Sequence, residues 1–464
     1  MAGPNGEVLG EGNAPVNPVA LGDGAVEQDP QELLDSILAA GRQAMEAAGA
    51  SVEAIGIANQ GETVLRWNRP TGRPSGAALS WQDRRAVEVT RELEGDADRL
   101  VELTGLPLDP YFAAPKMTWL RRQAGEDLGD DDVITTVDAW LNHQLTGAFV
   151  TDAATASRTM LLDLESAGWS PEACAIFGLD PETQPKVVDC AVPIGETDAF
   201  GVSLPVTGLV VDQQGALFAE SCFEPGEAKC TYGTGAFLLT TAGDVVPRSA
   251  SKLAVCVAWR LGGRTTYCLD GQVYTAGSVV TWLEKLGLIS HAGDLDGAGD
   301  PGAGGVVFVP ALAGLAAPFW APQARGSWFG LSLASDRADL VGAVTWGIAA
   351  QVASLARAVG SDLGEPLRRL RVDGGLSRSR SLMQAQADLL QTPVECYPSP
   401  DATALGAGAF ARLGAGAASA PAEAVGDWTP AALFEPRMSA DEADARLERW
   451  NRAASVLADL EEER

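Results

Sequence analysis

Residues 207–221 constrain the fold more than any other stretch. Thr207-Gly-Leu-Val-Val211 is a short apolar run, Asp212-Gln213-Gln214 interrupts it with polar side chains, and Gly215 to Ser221 continues as a small-residue helix. A buried strand that ends on a carboxylate and feeds a closely packed helix is a building unit of α/β folds. In open α/β sheets, ligands gather beyond the carboxyl ends of the strands. Asp212 falls there. A carboxylate in that place can accept a hydroxyl proton or hold a metal ion, and it can equally cap the helix from 215 onward.

The same alternation recurs along the chain. Ala54 to Asn59 reads as a buried strand with a polar end. Cys230 to Thr240 reads as two strands pivoting on Gly233-Thr234-Gly235, and Leu370 to Gly375 as a strand entering a glycine turn. Helices over 381–390 and 402–413 flank a strand at 394–397. The pattern predicts an α/β fold with largely parallel sheets, and 464 residues call for two or three domains. Asp29-Pro30-Gln31-Glu32 opens a helix whose core stripe is Leu34, Ile37, Leu38 and Met45, with a gap at Gly41. Ser439-x-x-Glu442 caps a terminal helix that buries Ala443, Leu447, Trp450, Ala454 and Leu457. The low-complexity stretches 292–305 and 414–426 read as surface loops. Asn5-Gly6 is a hairpin turn with only Met1 and Ala2 ahead of it.

Charge narrows the function. Sixty-two acidic against 33 basic residues give −29, so a nucleic-acid partner would be repelled before contact. Seven scattered cysteines, never paired as CxxC, argue against a disulfide framework or a zinc site and for a reducing compartment. The N-terminus carries neither a basic region nor an apolar run, so no signal peptide is expected. The longest uncharged stretch, 301–324, contains Pro310, Pro318 and Pro322 and reads as a strand and loop rather than a membrane span. A cytoplasmic protein without a membrane partner is expected. His143 and His291 have no His or Cys neighbour in sequence and read as packing or surface residues.

Three glycine turns follow strands, at 233–235, 276–277 and 373–375. Without Cβ atoms the backbone can approach a phosphate and offer its N–H groups, although any one of these turns is equally a tight bend. None matches a P-loop or a GxGxxG fingerprint. Trp81 and Tyr111 sit among polar residues, where an aromatic face can meet the C–H face of a polyol or simply pack.

The strings Ala54–Thr63, Ser80-Trp-Gln-Asp-Arg-Arg85, Asp109-Pro-Tyr-Phe112, Thr151–Leu161, Asp212-Gln-Gln214, Lys229–Gly235, Pro310–Gly330, Arg371-Val-Asp-Gly-Gly375 and Ala402–Ala407 together resemble the FGGY carbohydrate kinases. They run in order over nearly the whole chain and are nearest the members that phosphorylate glycerol. The resemblance implies two ribonuclease-H-like domains of the actin-type ATPase fold with a cleft between them. It divides the chain into a polyol-binding domain over 1–224 and an ATP-binding domain over 225–464. It implies ATP-dependent phosphorylation of glycerol or a related polyol or sugar, with Mg²⁺ and a homo-oligomer, dimer or tetramer. Position by position, Asp212 matches the catalytic base that also faces the metal. Glu62, Trp81, Tyr111 and Gln213 match substrate contacts. Gly233 and Thr234 match the turn that meets the phosphates, and Gly277, Gly374 and Gly375 match nucleotide contacts. Ser379 stands where the family often has an Asn near the adenine.

Two departures qualify this. The family's opening strand and Asp-x-Gly-Thr turn do not precede Asn5-Gly6, so the first domain is expected to lack its initial strand. Either the start is placed late or the chain is a truncated, non-catalytic relative. Gly61 stands where an Arg that bonds polyol hydroxyls is usual, which removes a donor and is expected to open room for a larger polyol or a ketose. Val211 stands where a Gly commonly precedes the base.

Overall fold

The computed structural model describes residues 1–298 and 303–462. In chain order its main elements are α1 (Pro30–Ala48), β1 (Ile55–Asn59), β2 (Val64–Asn68), β3 (Asp132–Thr136), β4 (Ala191–Thr197), β5 (Leu204–Val211), α2 (Asp212–Ala219), β6 (Glu227–Tyr232), β7 (Ala236–Gly243), β8 (Ala254–Leu261), β9 (Arg264–Val273), α3 (Gly277–Lys285), α4 (Arg337–Leu363), β10 (Arg369–Asp373), α5 (Arg380–Leu390), β11 (Val394–Cys396), α6 (Ala402–Gly414), β12 (Ala432–Phe434) and α7 (Ala440–Glu462).

In the first lobe β5 runs parallel to β1 and antiparallel to β4. Strand β1 is the edge of that three-stranded sheet. Strands β2 and β3 pair antiparallel in a separate six-stranded sheet. Asp29 caps α1 by accepting the Gln31 N–H at 2.8 Å. Leu34, Ile37 and Leu38 pack against both sheets. The gap at Gly41 is filled by the Phe200 ring, whose Cε1 lies 2.4 Å from where a Cβ would stand.

The second lobe is a seven-stranded sheet in the order β8-β9-β7-β6-β10-β11-β12. Only β6–β10 and β10–β11 are parallel. The expectation of largely parallel sheets is therefore wrong. Glycine turns at 233–235 and 262–263 join neighbouring strands directly, and strands joined by tight turns must run antiparallel. Helix α4 is long and apolar enough to cross a membrane, but 78% of its most apolar window is buried. Val341, Val344, Ile348, Val352 and Leu355 are all within the second lobe's core, so α4 is a core helix.

Helix α6 returns to the first lobe and packs on β1, β5 and α2. The approach is so close that a Cβ at Gly56 would stand 1.9 Å from the Ala407 carbonyl oxygen. Two expected loops carry structure: Ala292–Asp294 and Leu295–Ala298 are short helical turns with Leu295 buried, and Pro421–Val425 is a helix with Ala424 and Val425 buried. Their apolar residues, few as they are, find core to cover. Residues 299–302 of the first stretch lie outside the described residues. The Asn5-Gly6 turn forms, with Gly6 at φ +80° and a bridge between Ala2 and Val8. All seven cysteines are free and buried.

Candidate active site

Strand β5 ends at Val211 and α2 begins at Asp212 itself. The carboxylate does not cap the helix. Its Oδ1 accepts only the adjacent Gln213 N–H at 2.7 Å, and Oδ2 has no hydrogen-bond partner among the described residues. Burial, and then the negative charge of Glu62, push the Asp212 carboxyl up to about 6, against the Gln213 N–H and the cations Lys229 and Arg158.

Those charges belong to a buried network assembled from distant parts of the chain. Arg158 donates from Nε to Glu62 at 2.7 Å and from Nη1 to Asp270 at 2.6 Å, with all three side chains at most 6% exposed. Arg158 Nη1 also lies 3.0 Å from Cys256 Sγ. Its guanidinium carbon is 5.9 Å from the centre of the Tyr111 ring, which meets Trp81 edge-on at 6.1 Å. Burial, then Glu62, drive the Tyr111 phenol well above its ordinary range, so it remains a donor. Lys116 Nζ donates to the Tyr111 carbonyl at 2.5 Å, and burial lowers its ammonium to about 7. Lys229 Nζ donates to the Gln213 side-chain oxygen and, at 2.8 Å, to Thr231 Oγ1. A recess of about 50 Å³ lies between Arg84, Tyr111 and Phe112 of the first lobe and Asp270, Tyr274 and Trp320 of the second. Asp212 is not in its lining, but its charge is felt by the Tyr111 phenol.

The second-lobe turns are built of close backbone approaches. The Gly233 carbonyl accepts the Gly277 N–H at 2.9 Å, and the Thr234 carbonyl accepts those of Ala276 and Ser278 at 2.9 and 3.1 Å. The amino end of α3 is thereby seated on the turn after β6, and its N–H groups at 276–278 are spent on that turn. A Cβ at Gly277 would stand 2.6 Å from the Gly233 oxygen. Gly374, at φ +85°, would bring one within 2.5 Å of the Tyr232 oxygen. Gly375, which opens the turn Gly375–Arg378, faces open space.

Of the residues expected from sequence, Glu62, Trp81, Tyr111, Asp212 and Gln213 thus meet in one cluster. Gly233, Thr234, Gly277 and Gly374 meet at the end of β6, and Lys229 on β6 ties the two groups together. Ser379 stands apart from both clusters in its bonding: it caps α5 and donates to Asp296 at 2.8 Å. His143 packs against Trp67, and His291 pairs with Asp294. A Cβ at Gly61 would stand 2.7 Å from Val211 Cγ2 and 3.4 Å from Arg158 Cγ, so the volume next to the Gly61 backbone is taken. The valine that replaces a glycine occupies the space that the glycine at 61 vacates. Sequence reasoning missed Arg158, Asp270, Lys116 and Lys229. Two of the chain's five lysines standing in apolar surroundings was the one available signal.

A buried cluster around Asp212 in the first lobe is thus tied through Lys229 on β6 to glycine turns in the second. Residues 3–219 match the N-terminal domain model of the FGGY family of carbohydrate kinases, and residues 228–415 match its C-terminal domain model. A glycerol kinase of Alkalilimnicola ehrlichii is 41% identical over 451 residues, covering 93% of this chain and 90% of that one. One of Myxococcus xanthus is 41% identical, covering 87% and 85%. Plasmodium falciparum glycerol kinase, solved with ADP, superposes with a TM-score of 0.89 at 30% identity, covering 96% and 92%. A xylulose kinase from Rhodospirillum rubrum shares the fold at a TM-score of 0.86, with 23% identity and 96% and 93% covered. The chain belongs to the FGGY family of carbohydrate kinases, and it is an ATP-dependent carbohydrate kinase.

Proposed function

We propose that this kinase phosphorylates a hydroxyl of glycerol, with Asp212 as the base that receives the hydroxyl proton. The observation that carries the reading is the uncommitted Asp212 carboxylate, raised to about 6 at the end of β5 and beside buried Glu62. A base that titrates just below neutral pH is ionised yet still proton-avid. Glu62 and Gln213 offer acceptors and donors to polyol hydroxyls, while Trp81 and Tyr111 supply the apolar faces. Gly233 and Thr234 take the nucleotide phosphates, Gly277, Gly374 and Gly375 make further nucleotide contacts, and Ser379 is assigned to the adenine by its place in the family's motif. Phosphoryl transfer asks the protein mainly to align and to neutralise charge, which this division of labour supplies.

The donor set fits Mg²⁺. Asp212 presents an oxygen without a partner, and Mg²⁺ is commonly held by one or two carboxylates together with water and phosphate. Bound there, the ion would neutralise charge on the transferred phosphate. The lobes divide at residues 224 and 225, ahead of β6, with α6 and the helix Pro421–Val425 returning to the first. The seven buried free thiols fit a cytoplasmic enzyme, and its acidic surface leaves nucleic acid out.

Glycerol is preferred over larger substrates because Val211 occupies the volume beside Gly61. A panel of glycerol, erythritol, xylulose and ribulose tests this. Glycerol is expected to give the highest kcat/KM, and faster turnover of a four- or five-carbon substrate would overturn the choice.

A further inference from the structure

A cavity of about 610 Å³ adjoins the recess beside Tyr111. One wall is the first lobe's segment 87–108 and the other is the second lobe's loop 246–255. The walls are stitched together where the Val255 N–H donates to the Gly105 carbonyl at 2.9 Å. A cavity of that size is in the range that takes a small organic ligand. Its body is apolar, with Val87, Val101, Leu108, Val246, Leu253 and Val255 among the lining.

Charge is distributed unevenly around it. On the second-lobe side stand Arg248 and Lys252. Arg248 has only a 3.9 Å contact with Glu165, both side chains being more than two-thirds exposed, and Lys252 forms no ion pair among the described residues. Arg91, on the opposite side, is already held by Glu88 at 2.6 Å, and Glu94 and Asp98 stand near it. In a chain of net charge −29, two uncommitted cations at the mouth of an apolar cavity form a local exception. Two features connect the cavity to the recess beside Tyr111. Pro107 and Leu253 line both spaces, and the loop's Ser251 carbonyl accepts the indole N–H of Trp320, another recess residue, at 3.1 Å.

We propose that this cavity is a regulatory site for an amphipathic organic anion, whose apolar chain lies along the valine-lined wall and whose carboxylate meets Arg248 and Lys252. Occupancy fixes the spacing of the two lobes and shifts Pro107 and Leu253, and through them the substrate recess. The regulatory half rests on the kinase reading above; binding itself does not.

Decanoate is the probe, with decanol as the neutral control. Calorimetry on the full chain, without nucleotide or polyol, is expected to show saturable one-to-one binding of decanoate. Lys252→Glu with Arg248→Glu should weaken decanoate about tenfold or more while leaving decanol unchanged. Val101→Trp fills the cavity from an exposed position and should abolish binding of both, with an unchanged thermal transition showing that the variant folds. Binding that survives Val101→Trp, or no saturable binding at all, overturns the site. In kinase assays, decanoate should change the glycerol KM at least twofold in the wild type and not in Val101→Trp; binding without that change overturns the regulatory role.

Discussion

The two halves of the candidate site are made of different material. On the first-lobe side the site is a set of buried charged side chains, Glu62, Arg158 and Lys116, completed by Asp270 from β9. On the second-lobe side it is nearly bare backbone: Gly235, Gly277 and Gly374, each admitted to its place by the lack of a Cβ. The difference follows from the ligands proposed for each. Hydroxyls differ from substrate to substrate and are told apart by side chains that can be exchanged. Phosphates are alike, and backbone N–H groups serve them whatever the surrounding sequence.

The sharpest way to break the comparison is at the carboxylate itself. Asp212→Asn keeps the shape and removes the base, so kcat should fall by ~10²–10⁴-fold while polyol and nucleotide still bind. Its stability should move the other way. The folded carboxyl, at about 6, holds its proton more tightly than the unfolded one, so Asp212 costs stability progressively as pH rises from about 4 through 6. Asn removes that cost, and thermal melts at pH 8 should show Asp212→Asn at least as stable as the wild type.

Arg158 is the next largest lever. Arg158→Met leaves Glu62 and Asp270 buried and unpaired, a loss of about 3–5 kcal/mol that urea unfolding would measure. Adding Glu62→Gln and Asp270→Asn should recover much of it, and failure to do so would mean that packing rather than charge holds this half of the site. On the backbone side, Gly374→Ala combines a backbone conformation reserved for glycine with a clash against the Tyr232 carbonyl. It should cost ~1–3 kcal/mol and raise the KM for ATP more than that for glycerol. The smallest effect expected is at Gly61. Gly61→Ala should lose stability because of Val211, and Val211→Gly in the same chain should restore it.

The contrast also explains what could be read in the sequence. The glycine turns, Asp212 after an apolar strand, and the caps at Asp29 and Ser439 are local signals, fixed by residues a few positions apart. They were legible. The Arg158 network was not, because its partners stand 96 and 112 positions away and only the fold brings them together. Sheet direction was misread for a related reason. Apolar runs show where strands are, but the glycine turns between them decide that neighbours run antiparallel. The contact between Gly61 and Val211 was not legible either, because the two are near only in three dimensions.

The central claim is that the Asp212 carboxylate faces a polyol oxygen from the first lobe while the nucleotide lies against the glycine turns of the second. A crystal structure with glycerol and a non-hydrolysable ATP analogue tests it directly. The account predicts a glycerol hydroxyl within about 2.6–3.2 Å of that carboxylate, with the terminal phosphate over the Gly233-Thr234 turn. Glycerol bound out of reach of Asp212, or phosphates held elsewhere, would contradict it.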